Sequence, residues 1–417
     1  MNIKEITPTG PVHARVRVPG SKSITNRALV CAALAEGDSF LSGVSDSDDT
    51  ALMSNGLNQL GVLVRKTDNA VVVSGTGGRL FAPKFPIPVG NAGTTFRFLL
   101  AVAGLAEGKT TLETGIRMSS RPNAQLFDAL GQLGVKSEAF GTRCIVHGGG
   151  FAGGTVTLKA EKSSQFLSSL LMVAPYARND VNVEVDGKIA SLPYVDLTME
   201  VMREFGITVD EKDRKIFSVK SGQKYKTAEF HVEADASGAS YFLAAAAIAG
   251  GEVMIEGLKR SSQQGDMKFL DLLERMGCKV REEEGGVRTQ SSGALQGIDV
   301  DMNSMPDVVP TLAVTALFAE GITRIRNVGH LQFKESDRLH AIVDELKKLG
   351  ADVTIVDGGL EIHPASLHGA QLETYEDHRL AMSFALAGLK VPGVKIENPD
   401  CVSKSFPGFW KEFEKLY

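Results

Sequence analysis

The residues of this chain that could do chemistry come in short polar clusters, each set where a turn meets an apolar run. The first is Pro19-Gly20-Ser21-Lys22-Ser23-Ile24-Thr25-Asn26-Arg27, ahead of an apolar run, Ala28 to Ala35, that reads as a helix ending near Gly37. A glycine-serine turn at a helix start offers backbone N–H groups and hydroxyls, and Lys22 and Arg27 add two cations. The stretch therefore reads as an anion cradle. It lacks the GxxxxGK[ST] spacing of a nucleotide P-loop, and on its own it also fits a serine-rich helix cap with solvated bases. Asn91-Ala92-Gly93-Thr94-Thr95-Phe96-Arg97 stands in the matching place one unit later, and Ser163-Ser164-Gln165 one unit after that. Arg121-Pro122 opens another helix, with proline at the favoured first position. Ser191 and Tyr194 flank Pro193 in the loop that follows.

The second half of the chain continues the series. Asp307 heads an apolar helix expected over Val308 to Ala319, where an aspartate reads first as a cap. Lys334-Glu335-Ser336-Asp337-Arg338 precedes an amphipathic helix, and Asp377-His378-Arg379 precedes the run Leu380 to Leu389. Ser403-Lys404-Ser405-Phe406-Pro407 is the last cluster. The cations gathered in this way are Lys22, Arg27, Arg97, Arg121, Lys334, Arg338, Arg379 and Lys404, against the carboxylates Asp307 and Glu335. Such an excess suits two small polyanions that each carry phosphate and carboxylate groups.

Composition narrows the class of partner. With 417 residues and a net charge of −5, the chain has no bulk attraction for nucleic acid or for a membrane surface, so an anionic ligand must be held by a local cluster. The longest apolar candidate, Tyr241 to Ala249, is far too short to span a bilayer. Cys31, Cys144, Cys278 and Cys401 are scattered, in no metal-site spacing and with no disulfide framework expected. The opening Met1-Asn2-Ile3-Lys4-Glu5 has no signal-peptide core, and a reduced cytoplasmic protein is expected.

What positions the clusters is a repeat. An amphipathic helix ending at glycine recurs at Gly61, Gly134, Gly206, Gly277 and Gly350, which stand 73, 72, 71 and 73 residues apart. Phe409 to Leu416 reads as a truncated sixth copy. In a second phase, an alanine- and leucine-rich helix ends in a turn at Glu36-Gly37, Glu107-Gly108, Arg178-Asn179, Gly250-Gly251, Glu320-Gly321 and Pro392-Gly393. Each unit reads helix, strand, helix, strand, strand, with the glycines as C-caps. Six such units could pack three and three, with a hinge near Gly222 to Lys226, or stack as a solenoid. Equivalent junctions then fall on one face of each domain.

Taken together, Gly20-Ser21-Lys22-Ser23 with Arg27, Asn91-Ala92-Gly93-Thr94 with Arg97, and Lys334-Glu335-Ser336-Asp337-Arg338 resemble the 5-enolpyruvylshikimate-3-phosphate synthase family. Arg121-Pro122, Ser163-Ser164-Gln165, Asp377-His378-Arg379 and Ser403-Lys404-Ser405-Phe406-Pro407 agree, so the resemblance runs the length of the chain. It implies an α/β fold: a two-domain inside-out α/β barrel of six βαβαββ repeats of about 72 residues, three per domain. The domains implied are 20–228, and 1–19 with 229–417, with the active site in the interdomain cleft. The activity implied is transfer of the enolpyruvyl group of phosphoenolpyruvate to the 5-hydroxyl of shikimate 3-phosphate, by addition and elimination of phosphate.

By the same resemblance, Lys22, Ser23, Arg27, Ser163, Ser164, Gln165, Ser191, Tyr194, Asp307 and Lys334 hold shikimate 3-phosphate. His330 joins them at a position where other members carry asparagine. Lys22, Asn91, Gly93, Arg121, Gln165, Arg338, Arg379 and Lys404 hold phosphoenolpyruvate, with Arg97 and His378 in support. Addition of an alcohol to an enol phosphate needs a base and an acid on opposite sides of the reacting carbon. Asp307 is the expected base, and Glu335 and Lys22 are the expected proton donors. No cofactor is called for, glyphosate is the expected inhibitor, and a monomer is expected. Two other readings stand beside this one. One is a UDP-N-acetylglucosamine enolpyruvyl transferase, although that family has asparagine where this chain has Ser23 and a loop cysteine that Met118-Ser119-Ser120-Arg121 lacks. The other is a phosphate-binding protein of this fold without turnover.

Overall fold

Five of the repeated helices stop in the same way. In the computed structural model, which describes residues 2–68 and 70–417, the helix Asp48–Gln59 runs to Leu60, and Gly61 then turns left-handed at φ 95°. The N–H of Val62 reaches back to the carbonyl of Leu57 at 3.0 Å, and that of Gly61 to Asn58 at 3.1 Å. This double bond is the Schellman closure, and it needs a residue without a Cβ penalty. Gly134, Gly206, Gly277 and Gly350 repeat it at φ 90°, 85°, 103° and 84°, with the same pair of bonds at each. Met1, counted above with the C-terminal domain, lies outside the described residues.

Within a repeat, strand order follows from the helices between strands. In the second repeat, Ile87–Gly90 pairs parallel with Lys109–Thr114, because a helix, Gly93–Val102, connects them. Lys136–Phe140 and Arg143–His147 form a hairpin whose second strand pairs antiparallel with Lys109–Thr114. The resulting order is first, second, fourth, third. The third repeat (Gly154–Lys159, Val181–Asp186, Ile216–Val219, Asp210–Lys212) and the fifth (Asp299–Asp301, Thr323–Arg326, Gly359–His363, Asp352–Val356) show the same order.

The first and fourth repeats exchange their opening strands. Val12–Val16 lies parallel to Gly251–Glu256 of repeat four, and Glu229–His231 lies parallel to Glu36–Ser42 of repeat one. Near the N-terminus, Ile3–Glu5 pairs antiparallel with Lys395–Glu397, whose parallel neighbour is Gln371–Leu372. The chain accordingly divides into two compact units, Met1–Ser21 with Glu233–Tyr417, and Lys22–Val232.

The alanine- and leucine-rich helices are buried on all sides, which is why they carry no polar face. All fourteen residues of Ala236–Ala249 and all ten of Gly93–Val102 are buried. In the Lys22–Val232 unit, Gly93–Val102 packs on Gln165–Val173. In the other unit, Val309–Ala316 packs on His378–Ala387 and Ala236–Ala249. Repeat-equivalent hydroxyls meet there: Ser240 and Thr311 at 3.2 Å, Thr311 and Ser383 at 3.3 Å.

Two boundaries differ from expectation, and both bear on function. The helix expected to start at Ala28 starts at Lys22, so Lys22, Ser23 and Arg27 are its first turns and not a loop before it. The helix expected over Val308 to Ala319 is Val309–Ala316, preceded by a tight 3-10 turn, Pro306–Val308. Pro306 stands at the first position of that turn, where its missing N–H is not needed. No helix among the described residues is long and apolar enough to cross a membrane.

Candidate active site

In the Lys22–Val232 unit, the polar side chains gather at the N-terminal ends of three helices. Lys22 opens the helix Lys22–Leu34, and its Nζ lies 3.1 Å from Oδ2 of Asp49, both side chains being nearly enclosed. Arg27, one turn on, is fully buried. Its Nε donates to Thr198 Oγ1 at 2.7 Å, Nη1 to the Ser23 carbonyl at 2.9 Å, and Nη2 to the Tyr194 carbonyl at 3.0 Å. The guanidinium also lies over the ring of Phe98. Burial draws its pKa down to about 10, against the opposing influence of Tyr194 and Cys31. Arg27 thus knits the first and third repeats together around Ser23.

Arg97 plays a similar part for Gln165. Its Nη1 donates to Gln165 Oε1 at 2.7 Å, its Nε to Asn123 Oδ1 at 3.0 Å, and its Nη2 to the Pro122 carbonyl at 3.3 Å. Gln165 Nε2 in turn donates to Thr94 Oγ1 at 3.0 Å, so the amide is fixed at both ends. Ser163 Oγ accepts from the Gln165 N–H at 3.2 Å, and Ser164 is buried ahead of the helix Gln165–Val173. Asn91 Oδ1 accepts from the Met118 N–H at 3.1 Å, which ties down the short helix Ile116–Ser120 that ends at Arg121. A Cβ built on Gly93 would come 2.6 Å from Nη1 of Arg121, so glycine is what lets that guanidinium lie against the helix start. Ser191 is held left-handed at φ 57°, and its carbonyl accepts from the Tyr194 N–H at 3.1 Å.

The other unit carries a denser network of charge. The Asp307 carboxylate lies 2.7 Å from Arg379 Nη2, 3.1 Å from Arg338 Nη1 and 3.4 Å from Lys334 Nζ. Burial alone would raise its pKa. Arg379, Lys334 and Arg338 outweigh burial and hold the carboxyl well below the usual range. Asp307 is not in a cap position: the residues in those positions, Met305 and Val308, make no side-chain cap bond. Its counterparts in the neighbouring repeats are caps, Asp235 accepting from Gly238 N at 3.1 Å and Asp377 from Arg379 N at 3.0 Å.

Arg338 is the hub. Only 1 % exposed, it donates to Asp377 through Nε at 2.8 Å and Nη2 at 3.2 Å, and to Glu335 at 2.7 Å, besides Asp307. Burial would drain its charge, but Asp377, Glu335 and Asp307 prevail and raise its pKa. Asp377 also accepts from Ser336 Oγ at 3.0 Å. Arg379 Nη1 reaches the hydroxyl of Tyr241 at 3.4 Å. His330 is buried in the turn Gly329–Phe333, and burial, then the charge of Lys334, push its pKa down to about 4, so the imidazole is neutral at pH 7. His378 opens the helix His378–Ala387 with its ring buried, 3.8 Å from Asp377. Lys404 ends the turn Pro399–Lys404 and is half-buried.

Asp49, Asn123, Thr198 and Asp377 hold these side chains in place, and the sequence reading did not single them out as site residues. Asp48-Asp49 at a helix start looks like ordinary complementation of the helix dipole. Asp377 was visible only as the first member of the Asp377-His378-Arg379 cluster.

Comparison with known proteins decides the family. The profile described as EPSP synthase (3-phosphoshikimate 1-carboxyvinyltransferase) matches residues 6–413. The chain belongs to the EPSP synthase family. It is 45% identical over 421 residues to the 3-phosphoshikimate 1-carboxyvinyltransferase of Syntrophobacter fumaroxidans, covering 99% of each chain. It is 43% identical over 412 residues to that of Trichormus variabilis, covering 97% of each. Among solved structures, an EPSP synthase from Acinetobacter baumannii superposes with a TM-score of 0.83 at 26% identity, covering 100% of this chain and 98% of that one. The enolpyruvyl transferase NikO from Streptomyces tendae, at 18% identity and a TM-score of 0.79, shares the fold. The two-domain α/β architecture implied by the resemblance is that of these structures.

Proposed function

We propose that this EPSP synthase family member transfers the enolpyruvyl group of phosphoenolpyruvate to the 5-hydroxyl of shikimate 3-phosphate and releases phosphate. The observation that carries the reading is the charge pattern at Asp307: its carboxylate pairs with Lys334, Arg379 and Arg338, the last of which is shared with Glu335 and Asp377. A substrate carboxylate or phosphate is the natural replacement for that counter-ion, because arginine forks match both groups. Once an anion engages Arg338 and Arg379, Asp307 loses two of the three cation contacts that keep it ionised and retains Lys334. Its proton affinity then rises toward that of a useful base.

The steps follow. Asp307 takes the proton of the 5-hydroxyl as its oxygen bonds to carbon 2 of phosphoenolpyruvate and carbon 3 gains a proton. Glu335 and Lys22 are the assigned donors. The tetrahedral adduct then expels phosphate, which leaves with a proton, while carbon 3 gives one up to restore the double bond. Shikimate 3-phosphate is assigned to Lys22, Ser23, Arg27, Ser163, Ser164, Gln165, Ser191, Tyr194, Asp307, His330 and Lys334. Phosphoenolpyruvate is assigned to Lys22, Asn91, Gly93, Arg121, Gln165, Arg338, Arg379 and Lys404. Arg97 supports Gln165, to which it donates. A neutral His330 offers a donor nitrogen and an acceptor nitrogen, a donor–acceptor pair of the kind that an asparagine amide also presents, which supports its place beside the sugar-like ring. The reading includes glyphosate as a competitor of phosphoenolpyruvate, and a cytoplasmic monomer working without a cofactor.

A phosphate-release assay tests it. Phosphoenolpyruvate with shikimate 3-phosphate should yield phosphate. Phosphoenolpyruvate alone, or with UDP-N-acetylglucosamine, should not. Release with the nucleotide sugar, or no release with either acceptor, would overturn the proposal.

A further inference from the structure

Seven residues ahead of the closing glycine, four of the five repeated helices pack an apolar side chain against a core. Phe127 and Met199 do so in the Lys22–Val232 unit, and Leu270 and Val343 in the other. The first repeat breaks the pattern, because the helix Asp48–Gln59 has Ser54 at that position, half-buried. In an interior that is otherwise close-packed, a missing large side chain leaves space. Ser54 lines a cavity of about 520 Å³ in the first repeat, a volume in the range of small-molecule sites.

The lining is of two kinds. Leu29, on the helix Lys22–Leu34, joins Val44, Val64 and Val71 in an apolar part. A turn of hydroxyl residues makes the polar part. There Thr25 Oγ1 accepts from Ser45 N at 3.1 Å, and Thr50 Oγ1 lies 2.8 Å from both the Ser45 and the Ser47 carbonyl. These bonds fix the wall before a ligand arrives, which lowers the cost of ordering it on binding. The lining also includes an exposed pair of opposite charges, with Lys66 Nζ 2.6 Å from Asp46 Oδ1. An exposed ion pair adds little stability, so it parts at small cost. None of the lining residues is assigned to either substrate above.

We propose that this cavity binds a small zwitterion with an apolar body, of the amino-acid type. The body lies against Leu29, Val64 and Val71, in the space that Ser54 leaves. The carboxylate takes Lys66 and the ammonium takes Asp46, so one ion pair between side chains becomes two to the ligand. A polyanion would find Asp46 opposing it beside the lining cation, and an uncharged hydrocarbon would leave both charges unused. The inference is independent of the proposed function.

Calorimetry on the full chain tests it, with L-leucine and L-phenylalanine as probes. We expect each to bind with a Kd of about 1 mM or tighter. Glycine lacks the apolar body, isocaproate lacks the ammonium of leucine, and isoamylamine lacks its carboxylate. All three should bind about tenfold more weakly or worse. Ser54→Phe gives the first repeat the residue of the second and fills the space, so the variant should fold and lose the binding of both amino acids. Absence of binding by the wild type up to about 10 mM, binding that survives Ser54→Phe, or equal binding of glycine and L-leucine overturns the inference. Should Ser54→Phe fail to fold, Asp46→Asn and Lys66→Met serve, since both positions are exposed. Each should melt near the wild type and weaken L-leucine about tenfold, and an unchanged affinity in both overturns the inference.

Discussion

Arg379 donates to Asp307 across 2.7 Å, although the two residues stand 72 positions, one full repeat, apart in the chain. The contact joins equivalent ends of neighbouring repeats and makes a protein carboxylate the resident partner of cations assigned to substrate. In Asp307→Asn that competitor is gone and no group remains to accept the 5-hydroxyl proton. We expect phosphoenolpyruvate or inorganic phosphate to bind severalfold tighter in calorimetry, while turnover falls by about a hundredfold to ten-thousandfold. Weaker binding with near-normal turnover would mean that Asp307 is structural. The depressed pKa of Asp307 adds a sign that can be checked. Its stabilisation is complete above the unfolded carboxyl value of about 4 and is lost as pH falls through the lower folded value, so the variant should show a shallower loss of stability in acid.

His330 makes a second pH prediction. Its pKa is pushed down to about 4, chiefly by burial, against about 6.5 in an unfolded chain. The unfolded protein therefore takes up a proton between those values that the folded one refuses. Stability contributed at this position is present above about pH 6.5 and falls toward pH 4, by at most about 3 kcal/mol. His330→Asn should flatten that part of the stability curve and keep shikimate 3-phosphate affinity within a few fold. His330→Leu should flatten it too but weaken binding. Equal binding by the leucine variant would remove His330 from the substrate site.

The repeat was legible because its punctuation is chemical. Gly61, Gly134, Gly206, Gly277 and Gly350 occupy left-handed positions that tolerate few other residues, so their spacing shows in the letters. The exchange of Val12–Val16 for Glu229–His231 was not legible from the residues, since strands of five and three residues carry no mark of which neighbour they choose. The clusters were legible as cations at junctions, but their internal division was not. Nothing in the letters distinguishes Arg97, with donors spent on Gln165, Asn123 and Pro122, from Arg121 beside Gly93. Asp307 read as a cap because aspartate usually is one at a helix start. The 3-10 turn made by Pro306 puts it past the cap position.

Gly93 and Arg121 test the anion assignment. A methyl group on residue 93 would meet the tip of Arg121 at 2.6 Å, and a flexible side chain can yield at little cost in stability. Gly93→Ala should therefore melt near the wild type yet displace the guanidinium. KM for phosphoenolpyruvate should rise several-fold, KM for shikimate 3-phosphate should stay put, and glyphosate should inhibit less well. Arg121→Ala should raise the same KM further. Parallel changes in both Michaelis constants would undo the assignment of these two residues.

The turn ahead of Asp377 carries the last prediction. Tyr375 and Glu376 are consecutive non-glycine residues held left-handed, at φ 52° and 54°, a conformation that persists only where the surroundings impose it. The imposing group is Glu345, whose side chain is fully enclosed on the helix Arg338–Lys348. Its Oε1 accepts from the Tyr375 hydroxyl at 2.8 Å, its Oε2 from the Glu373 N–H at 2.9 Å, and Lys348 neutralises it at 2.7 Å. Asp377 follows directly and orients both Arg338 and the start of the helix bearing Arg379. Tyr375→Phe removes one hydrogen bond and should cost about 1 kcal/mol in chemical denaturation. Glu345→Ala leaves buried donors unmet and should cost about 1–3 kcal/mol or more. If the clamp serves the site as well as the fold, both variants should raise KM for phosphoenolpyruvate in step with the slackening of the turn. A Glu376→Gly change, which admits the left-handed conformation without strain, should recover much of the stability in the Tyr375→Phe background. Loss of stability with an unaltered KM would confine Glu345 and Tyr375 to holding the fold together.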